Sequence, residues 1–264
     1  MNDHFTASLY EGTFSVGLDK KFIRIGRDDN AKKGALKISI NPFVIHSKEQ
    51  NILIDVGLGE FGEDTTCQSF IDNLAAHQIE PYEITDIFIS HLHHDHMGGI
   101  AGRENGYWEL MFPDARLWVS KHGWKKIIDM DIYVDERKTE FIHFIDAKAD
   151  ICYLEDEKEL PAGLNAEKIG GHTEDHQAFF FDDGKQKCVM AGDVLATRGH
   201  VNRKFAAKYD FDAQESIKAR KRILKTAYDK GYLILGYHDN HHPLFRLTDF
   251  DTKKGYTIKT IENE

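Results

Sequence analysis

Residues 84–100 run Ile-Thr-Asp-Ile-Phe-Ile-Ser-His-Leu-His-His-Asp-His-Met-Gly-Gly-Ile, so His91, His93, Asp95 and His96 place four metal-binding side chains within six residues. Neutral imidazole and carboxylate are ligands that Zn²⁺ and its first-row neighbours accept. The preceding Ile87, Phe88 and Ile89 form a short apolar run rich in strand formers, which predicts that the histidines leave a buried strand and enter a loop. In an extended segment, residues two apart face the same side, so His91 and His93 can reach one cation. Asp95 and His96 follow after the chain turns, with Gly98 and Gly99 allowing a sharp bend, and point to a second position. The spacing therefore predicts two cations. A purely structural zinc would favour Cys thiolates in a closed site, and no Cys lies near the array.

Further ligands must come from elsewhere in the chain. His172 follows the glycine-ended run 168–171, Asp193 follows 188–192, and His238 follows 232–237. Strand ends converging on one sheet edge are how distant sequence assembles one site. His238 is chosen over His241 and His242 because it directly follows a buried run; the other two are expected to line the cleft or contact substrate. Around these points, residues 43–46 and 51–57 read as a hairpin. Residues 66–77 read as a helix with Phe70, Ile71, Leu74 and Ala75 inward. Arg116 to Val119 reads as a strand and 121–128 as a helix. Asp212 caps a long helix ending at Gly231, with Ala213, Ile217, Leu224, Ala227 and Tyr228 inward. The basic run of that helix (Lys218, Arg220, Lys221, Arg222, Lys225) is expected to be solvated. Between Met130 and Leu160 the pattern weakens, and an irregular segment carrying Tyr133, Phe141, Phe144 and Tyr153 is expected.

The 264 residues, 41% of them hydrophobic, can bury one large core. A formal charge of −10 argues against a general nucleic-acid or anionic-membrane binder. The first residues lack a positive segment followed by an apolar core, so the expected location is cytoplasmic. Cys67, Cys152 and Cys188 are read as small buried hydrophobes in a reducing compartment.

The array followed by Gly-Gly resembles the signature of the metallo-β-lactamase superfamily of dinuclear metallohydrolases. The resemblance implies a four-layer αββα sandwich, two mixed sheets flanked by helices. On length and composition, residues 1–264 are expected to form a single domain, and 1–40 to serve as an edge strand and lid or as an arm in homodimer contacts. The resemblance also implies His91 and His93 at one metal, and Asp95 and His96 at the other. His172, in Gly-His-Thr-x-x-His, is similar to the third motif, and Asp193, in Ala-Gly-Asp-Val, to the bridging carboxylate; His238 completes the second site. Asp55, at the end of its strand, resembles the second motif, a carboxylate that orients the histidine loop without ligating. His176 is expected to orient a neighbour or cap a turn. The flavin-linked diiron branch has Glu where this chain has His93, which favours hydrolysis.

Two divalent ions are thus implied, Zn²⁺ foremost, with Fe or Mn at the carboxylate-richer position. They would generate a bridging hydroxide near neutral pH, and Asp95 or Asp193 would pass a proton to the leaving group. Over residues 40–245 the order of elements is similar to the branch of acyl-homoserine-lactone lactonases and methyl parathion hydrolase, which implies a small ester, lactone or phosphotriester substrate. Those lactonases carry Tyr where this chain has Leu195, and His200 is a candidate local substitute. Two alternatives stay open: a glyoxalase II type thioesterase, for whose helical substrate domain the stretch after Asp193 looks short, and a non-catalytic metal-binding module. A nuclease would need a basic groove that is not evident.

Overall fold

The computed structural model describes residues 4–62, 67–129, 135–156 and 159–262. Residues 1–3, Thr66 at the expected helix start, the Cys67 side chain, and Met130 to Tyr133 lie outside them. In chain order the strands are β1 (Phe5–Ser8), β2 (Gly12–Val16), β3 (Phe22–Ile25), β4 (Leu36–Ile40), β5 (Phe43–Ser47), β6 (Gln50–Ile54), β7 (Asp86–Phe88), β8 (Ala101–Glu104), β9 (Tyr107–Leu110), β10 (Arg116–Val119) and β11 (Asp150–Tyr153). Then come β12 (Leu164–Lys168), β13 (Gln177–Asp182), β14 (Lys187–Met190), β15 (Leu233–Leu235), β16 (Leu244–Asp251) and β17 (Gly255–Thr260). The helices are α1 (Cys67–Ala76), α2 (His94–Met97), α3 (Lys121–Asp129), α4 (Glu136–Lys148) and α5 (Ala213–Lys230).

Two six-stranded sheets result, ordered β1-β5-β6-β7-β10-β11 and β12-β13-β14-β15-β16-β17. Both are mixed: β6, β7, β10 and β11 run parallel, as do β14 and β15, and the remaining pairs are antiparallel. The period-two alternation of strand side chains splits each sheet between two cores. Ile45, Ile52, Ile54, Phe88 and Trp118 meet Phe179, Phe181, Met190, Leu235 and Leu244 of the other sheet. Their intervening neighbours Val44, Leu53, Ile87, Leu117 and Val119 face α1, α3 and α4 through Leu74, Trp124, Phe141 and Ile145. On the far side, Phe180, Val189, Ile234 and Phe245 pack on Ala219, Ile223, Leu224 and Ala227 of α5. This is the helix-sheet-sheet-helix stack that the resemblance implied. A three-stranded sheet β3-β2-β4 and the hairpin β8-β9 are added to it.

Several expectations need correction. Residues 136–153 are not irregular: they form α4 and β11, the latter parallel to β10. Phe141 there is core, and Phe144 and Tyr153 pack against that core, so none of the three walls the histidine site. On α1, Ala75 faces solvent, while Phe70 and Leu74 are buried. On α5, Ala213 is exposed, Ile217 and Tyr228 are half-buried, and Ser216, Ala219, Arg220 and Ile223 are buried instead. Arg220 leaves the solvated basic face because its guanidinium donates to the carbonyls of Arg203 and Phe205, at 3.3 and 2.7 Å, and so pins the loop before the helix. The capping expectations hold: Asp212 accepts from the N–H groups of Gln214 and Glu215, and Gly231 ends the helix at φ 70°.

Cys152 and Cys188 are buried free thiols, and burial pushes Cys188 up to about 12, so that thiol is inert as a nucleophile. Among the described residues no helix is long and apolar enough to cross a membrane.

Candidate metal centre

β7 ends at Phe88, the chain bends at Ser90 and His91, and His93 is extended (φ −77°, ψ 148°) just before α2. The side chains of His91 and His93 nevertheless meet, with His91 Nε2 2.9 Å from His93 Nδ1. His94 departs to the other side and packs edge-on against Phe61, with ring centroids 4.8 Å apart. The turn of α2 brings Asp95 and His96 around to a second position. The Gly98–Gly99 pair serves differently than expected. Gly98 has ordinary helical backbone (φ −62°), but a Cβ on Gly98 would lie 2.1 Å from the Leu58 carbonyl oxygen, and one on Gly99 2.0 Å from that of Val56. Close backbone approach, not unusual torsion, requires glycine here.

His172, Asp193 and His238 converge on the array. His172 Nε2 is 3.3 Å from His93 Nδ1 and 3.3 Å from Asp193 Oδ2. The other oxygen, Asp193 Oδ1, is 3.3 Å from His96 Nε2 and 3.0 Å from His238 Nε2. Asp95 Oδ2 lies 3.5 Å from His238 Nε2 and 3.8 Å from His96 Nε2. All seven residues singled out in the sequence thus meet in one place. His241 and His242 do not join them: His241 is exposed, and both donate backbone N–H to Asp239 Oδ1.

The donor atoms fit a pair of cations. Two ligands on a tetrahedral ion with bonds of roughly 2.0–2.2 Å sit about 3.3–3.6 Å apart, which brackets most of these separations. His91, His93 and His172 form one set and Asp95, His96 and His238 another. His96 Nε2 and Asp193 Oδ1 are buried with no hydrogen-bond partner. Burial opposes charge on His96, but the carboxylates of Asp55, Asp95 and Asp193 outweigh it and hold its pKa well above the usual value. Burial alone would raise Asp193, yet the surrounding His238, His172 and His96 bring it well below the usual carboxylate range. His91 is driven well below its ordinary value by burial and then by the neighbouring imidazoles, which leaves it neutral and able to ligate. The site thus demands positive charge on the Asp193 side and offers bare lone pairs on the His91 side.

Three of the five imidazoles are aimed by a partner on the other nitrogen, the arrangement that fixes tautomer and orientation in metal sites. His96 Nδ1 lies 2.7 Å from Asp55 Oδ2, His172 Nδ1 3.0 Å from Asp210 Oδ1, and His238 Nδ1 2.9 Å from the Ser39 carbonyl. Asp55 also accepts from Ser90 N and Ser90 Oγ, both at 2.7 Å, and holds a left-handed φ of 55°, which Asp tolerates better than bulkier residues. Its expected orienting role matches this geometry. Tyr237 stacks on His96 at 4.2 Å and donates its hydroxyl to the Asp95 carbonyl at 2.5 Å. His176 is buried against His91, with ring centroids 4.5 Å apart, and its Nε2 meets the Ala191 carbonyl at 3.2 Å, in keeping with a neighbour-orienting role. A separate grouping of His122, Glu174 and Asp175 is already neutralised, since Lys126 holds Glu174 and Lys168 holds Asp175.

Sequence reasoning missed Asp210, Ser39, Tyr237 and Glu11. Glu11 is buried and accepts from the N–H groups of Leu58 (2.8 Å) and Gly59 (3.0 Å), which fixes the loop packed on Gly98. Burial raises its pKa from 4.5 to about 7 against those two hydrogen bonds. An acid whose folded pKa is raised costs stability progressively as pH climbs from its unfolded pKa through the folded one. Unfolding free energy should therefore fall between pH 4.5 and 7 by up to ~3 kcal/mol on this account. Glu11→Gln should flatten that slope in denaturant melts taken across the range; an unchanged slope would remove Glu11 as its source.

A cavity of about 320 Å³ opens beside His91 and His93, between that segment and α3, with Leu92, Ser120, Ile127 and Thr173 on its walls. Its size suits a small molecule.

Residues 37–105 match the Metallo-beta-lactamase superfamily. That stretch holds Asp55 and the His91–His96 array, and the layered sheets around it are those of the solved structures below. Among curated relatives, a hydroxyacylglutathione hydrolase of Rhodopseudomonas palustris (strain BisB5) is 28% identical over 150 residues, 56% of this chain and 48% of that protein. One from Glaesserella parasuis serovar 5 (strain SH0165) is 32% identical over 156 residues, 58% of this chain and 52% of that protein. The chain spans about half the length of these relatives. Among solved structures, a probable metal-dependent hydrolase from Staphylococcus aureus aligns with a TM-score of 0.76 at 20% identity, covering 98% of each chain. AidC, a dizinc quorum-quenching lactonase solved in complex with a product, aligns with a TM-score of 0.73 at 20% identity, covering 99% of each. At these identities the structural likeness speaks for the fold.

Proposed function

We propose that the protein is a hydrolase that works with two divalent cations, zinc foremost, on a small ester, lactone or phosphotriester. The observation that carries this reading is Asp193, whose two oxygens face two different sets of imidazoles. His91, His93, His172 and Asp193 Oδ2 would hold one ion, and Asp95, His96, His238 and Asp193 Oδ1 the other. When bound, such a pair lowers the pKa of water toward neutrality and polarises a carbonyl or phosphoryl oxygen.

The chain's own residues do the rest. Asp55, Asp210 and the Ser39 carbonyl keep three imidazoles in one tautomer, so their Nε2 lone pairs stay directed inward. Both oxygens of Asp193 face imidazoles, which leaves Asp95 as the candidate for carrying a proton to the leaving group. Leu195 is buried in the core under α5 and offers no hydroxyl to the site. His200 is also buried, with Nδ1 2.9 Å from Thr197 Oγ1.

The relatives named hydroxyacylglutathione hydrolases favour a second reading, hydrolysis of a thioester at the same site. Metal-loaded protein should be assayed on an aryl ester, an acyl-homoserine lactone, S-lactoylglutathione and an aryl phosphotriester. Turnover of at least one substrate, lost on chelation and restored by Zn²⁺, is the expected result. Fully loaded protein inert on all four would favour the non-catalytic metal-binding reading.

A further inference from the structure

The cavity of about 320 Å³ abuts one of the two donor sets. His91 and His93 wall it directly, and Thr173 to Asp175, which follow His172 in the chain, form another side. The His94 flank of the array is filled instead: Phe61 meets the rings of His94 and Phe141 edge-on at 4.8 and 4.9 Å and stacks on Trp108 at 6.3 Å. Room beside the array is thus left on the α3 flank.

Ile89, Leu92 and Ile127 line this space with hydrocarbon. The charged groups at its edge already have counter-charges. Lys126 Nζ lies 2.9 Å from Glu174 Oε2, while Asp175 meets Lys168 Nζ at 2.7 Å and His122 Nδ1 at 2.8 Å. Ser120 Oγ donates to Glu155 Oε1 at 2.7 Å. Such a lining favours hydrocarbon over an ion, because a buried charge without a partner is costly. Two of the pairs, Lys126 with Glu174 and His122 with Asp175, join α3 to the loop after His172, so the two sides of the cavity are held in register before anything enters.

Gly123 stands on the same wall, in the first turn of α3, and neither torsion nor crowding demands it. Its backbone lies outside the left-handed region. A Cβ there would sit 3.4 Å from Asp175 Cβ and Leu92 Cδ1 and 3.6 Å from Ser120 Cβ, which is ordinary contact, unlike the 2.0–2.1 Å at Gly98 and Gly99. Alanine is the better helix former, so glycine gives up some helix stability here. What it gains is volume, since all three residues that a side chain would meet are walls of the cavity.

We propose that this cavity takes an uncharged hydrocarbon arm on the acyl side of the substrate, and that Gly123 sets the length that fits. The acyl arm begins at the carbonyl carbon, the atom on which the cations would act, and the cavity begins at two of their proposed ligands. This deepens the hydrolase reading and rests on it for the bond that is cut.

The test measures kcat/KM for p-nitrophenyl acetate, butanoate and hexanoate on the zinc-loaded full chain. The hexanoate should exceed the acetate by about tenfold or more, a part of the roughly fourfold gain expected for each methylene fully buried. The mono-p-nitrophenyl ester of adipate, equal in length but ending in a carboxylate, should lose that gain. Gly123→Leu should lower the hexanoate-to-acetate ratio about tenfold and Gly123→Ala about threefold, as room for methylenes is taken up. Gly123→Ala should melt no lower than the wild type. Separately from turnover, hexan-1-ol titrated into the chain, with or without zinc, should shift the methyl resonances of Leu92 and Ile127 to saturation. A flat ester series, an adipate ester as fast as the hexanoate, a ratio unmoved by Gly123→Ala and Gly123→Leu, or methyl resonances that stay in place would each overturn the proposal. If Gly123→Leu does not fold, Gly123→Ala carries the comparison. If no ester turns over, the hydrolase reading falls and the methyl shifts alone decide what the cavity takes.

Discussion

Asp193→Asn should lower hydrolytic turnover by about a thousandfold, the equivalent of ~4 kcal/mol of lost transition-state stabilisation, while leaving the protein folded. The proposal places Asp193 between the two ligand sets, because its Oδ2 faces His172 and its Oδ1 faces His96 and His238. An amide keeps the shape but offers one neutral oxygen in place of a shared negative charge, so the buried His96 and His238 lose a counter-charge and two cations repel without screening. Metal content measured by elemental analysis after dialysis should fall from two ions per chain to one. Unchanged turnover with two ions retained would mean that Asp193 does not bridge.

Asp55→Ala should be the most destabilising single change near the site. The carboxylate has no solvent exposure and accepts three hydrogen bonds, from Ser90 N, Ser90 Oγ and His96 Nδ1. Truncation strands all three donors where water does not reach. Three stranded donors at roughly 1–3 kcal/mol each cost ~3 kcal/mol or more, and breaking a buried charged pair as a whole costs about 3–5 kcal/mol, so a loss of at least ~4 kcal/mol is expected. For a chain of this size that corresponds to a fall in melting temperature of roughly 10 °C. His96 would also lose its fixed orientation, and affinity at the second metal position should drop about 10–100-fold. Asp55→Asn, which keeps one carbonyl acceptor, should fall between. Thermal melts of metal-free protein isolate the first effect, and competition with a chromogenic chelator reads the second. A melting temperature unmoved by Asp55→Ala would show that the hydrogen bonds are replaceable.

The candidate ligands were legible because each sits where local pattern changes. Ile87 to Ile89 is an apolar strand signal, and the histidines begin where it stops; the same break marks His172, Asp193 and His238. The layered fold followed from the resemblance carried by those motifs together with the strand and helix periods around them. What stayed hidden acts through long-range or backbone contacts that leave no local trace. Asp210 reads as one more acid before a helix cap, and only folding lays it against a histidine 38 residues earlier. Glu11 looks like a surface residue of a glycine-rich stretch until the Gly57–Gly59 loop closes over it. The partner that aims His238 is a main-chain carbonyl, for which side-chain identity carries no signal. Helix α4 was missed because its buried Phe141, Ile142 and Ile145 make a narrow stripe among charges. Arg220 was misplaced because helical periodicity cannot foresee that a loop will bring two carbonyls to its guanidinium. Gly98 and Gly99 were recognised as necessary, but for flexibility, when the carbonyls of the loop at Val56 and Leu58 leave no room for a Cβ.

The central claim is that this chain holds two cations in one shared site. Anomalous diffraction at the zinc edge, on crystals of the zinc-loaded protein, tests it most directly. Two peaks roughly 3.5–4 Å apart, one among His91, His93 and His172 and the other among Asp95, His96 and His238 with Asp193 between them, are the predicted result. A single peak, or none, in fully loaded crystals would contradict the account.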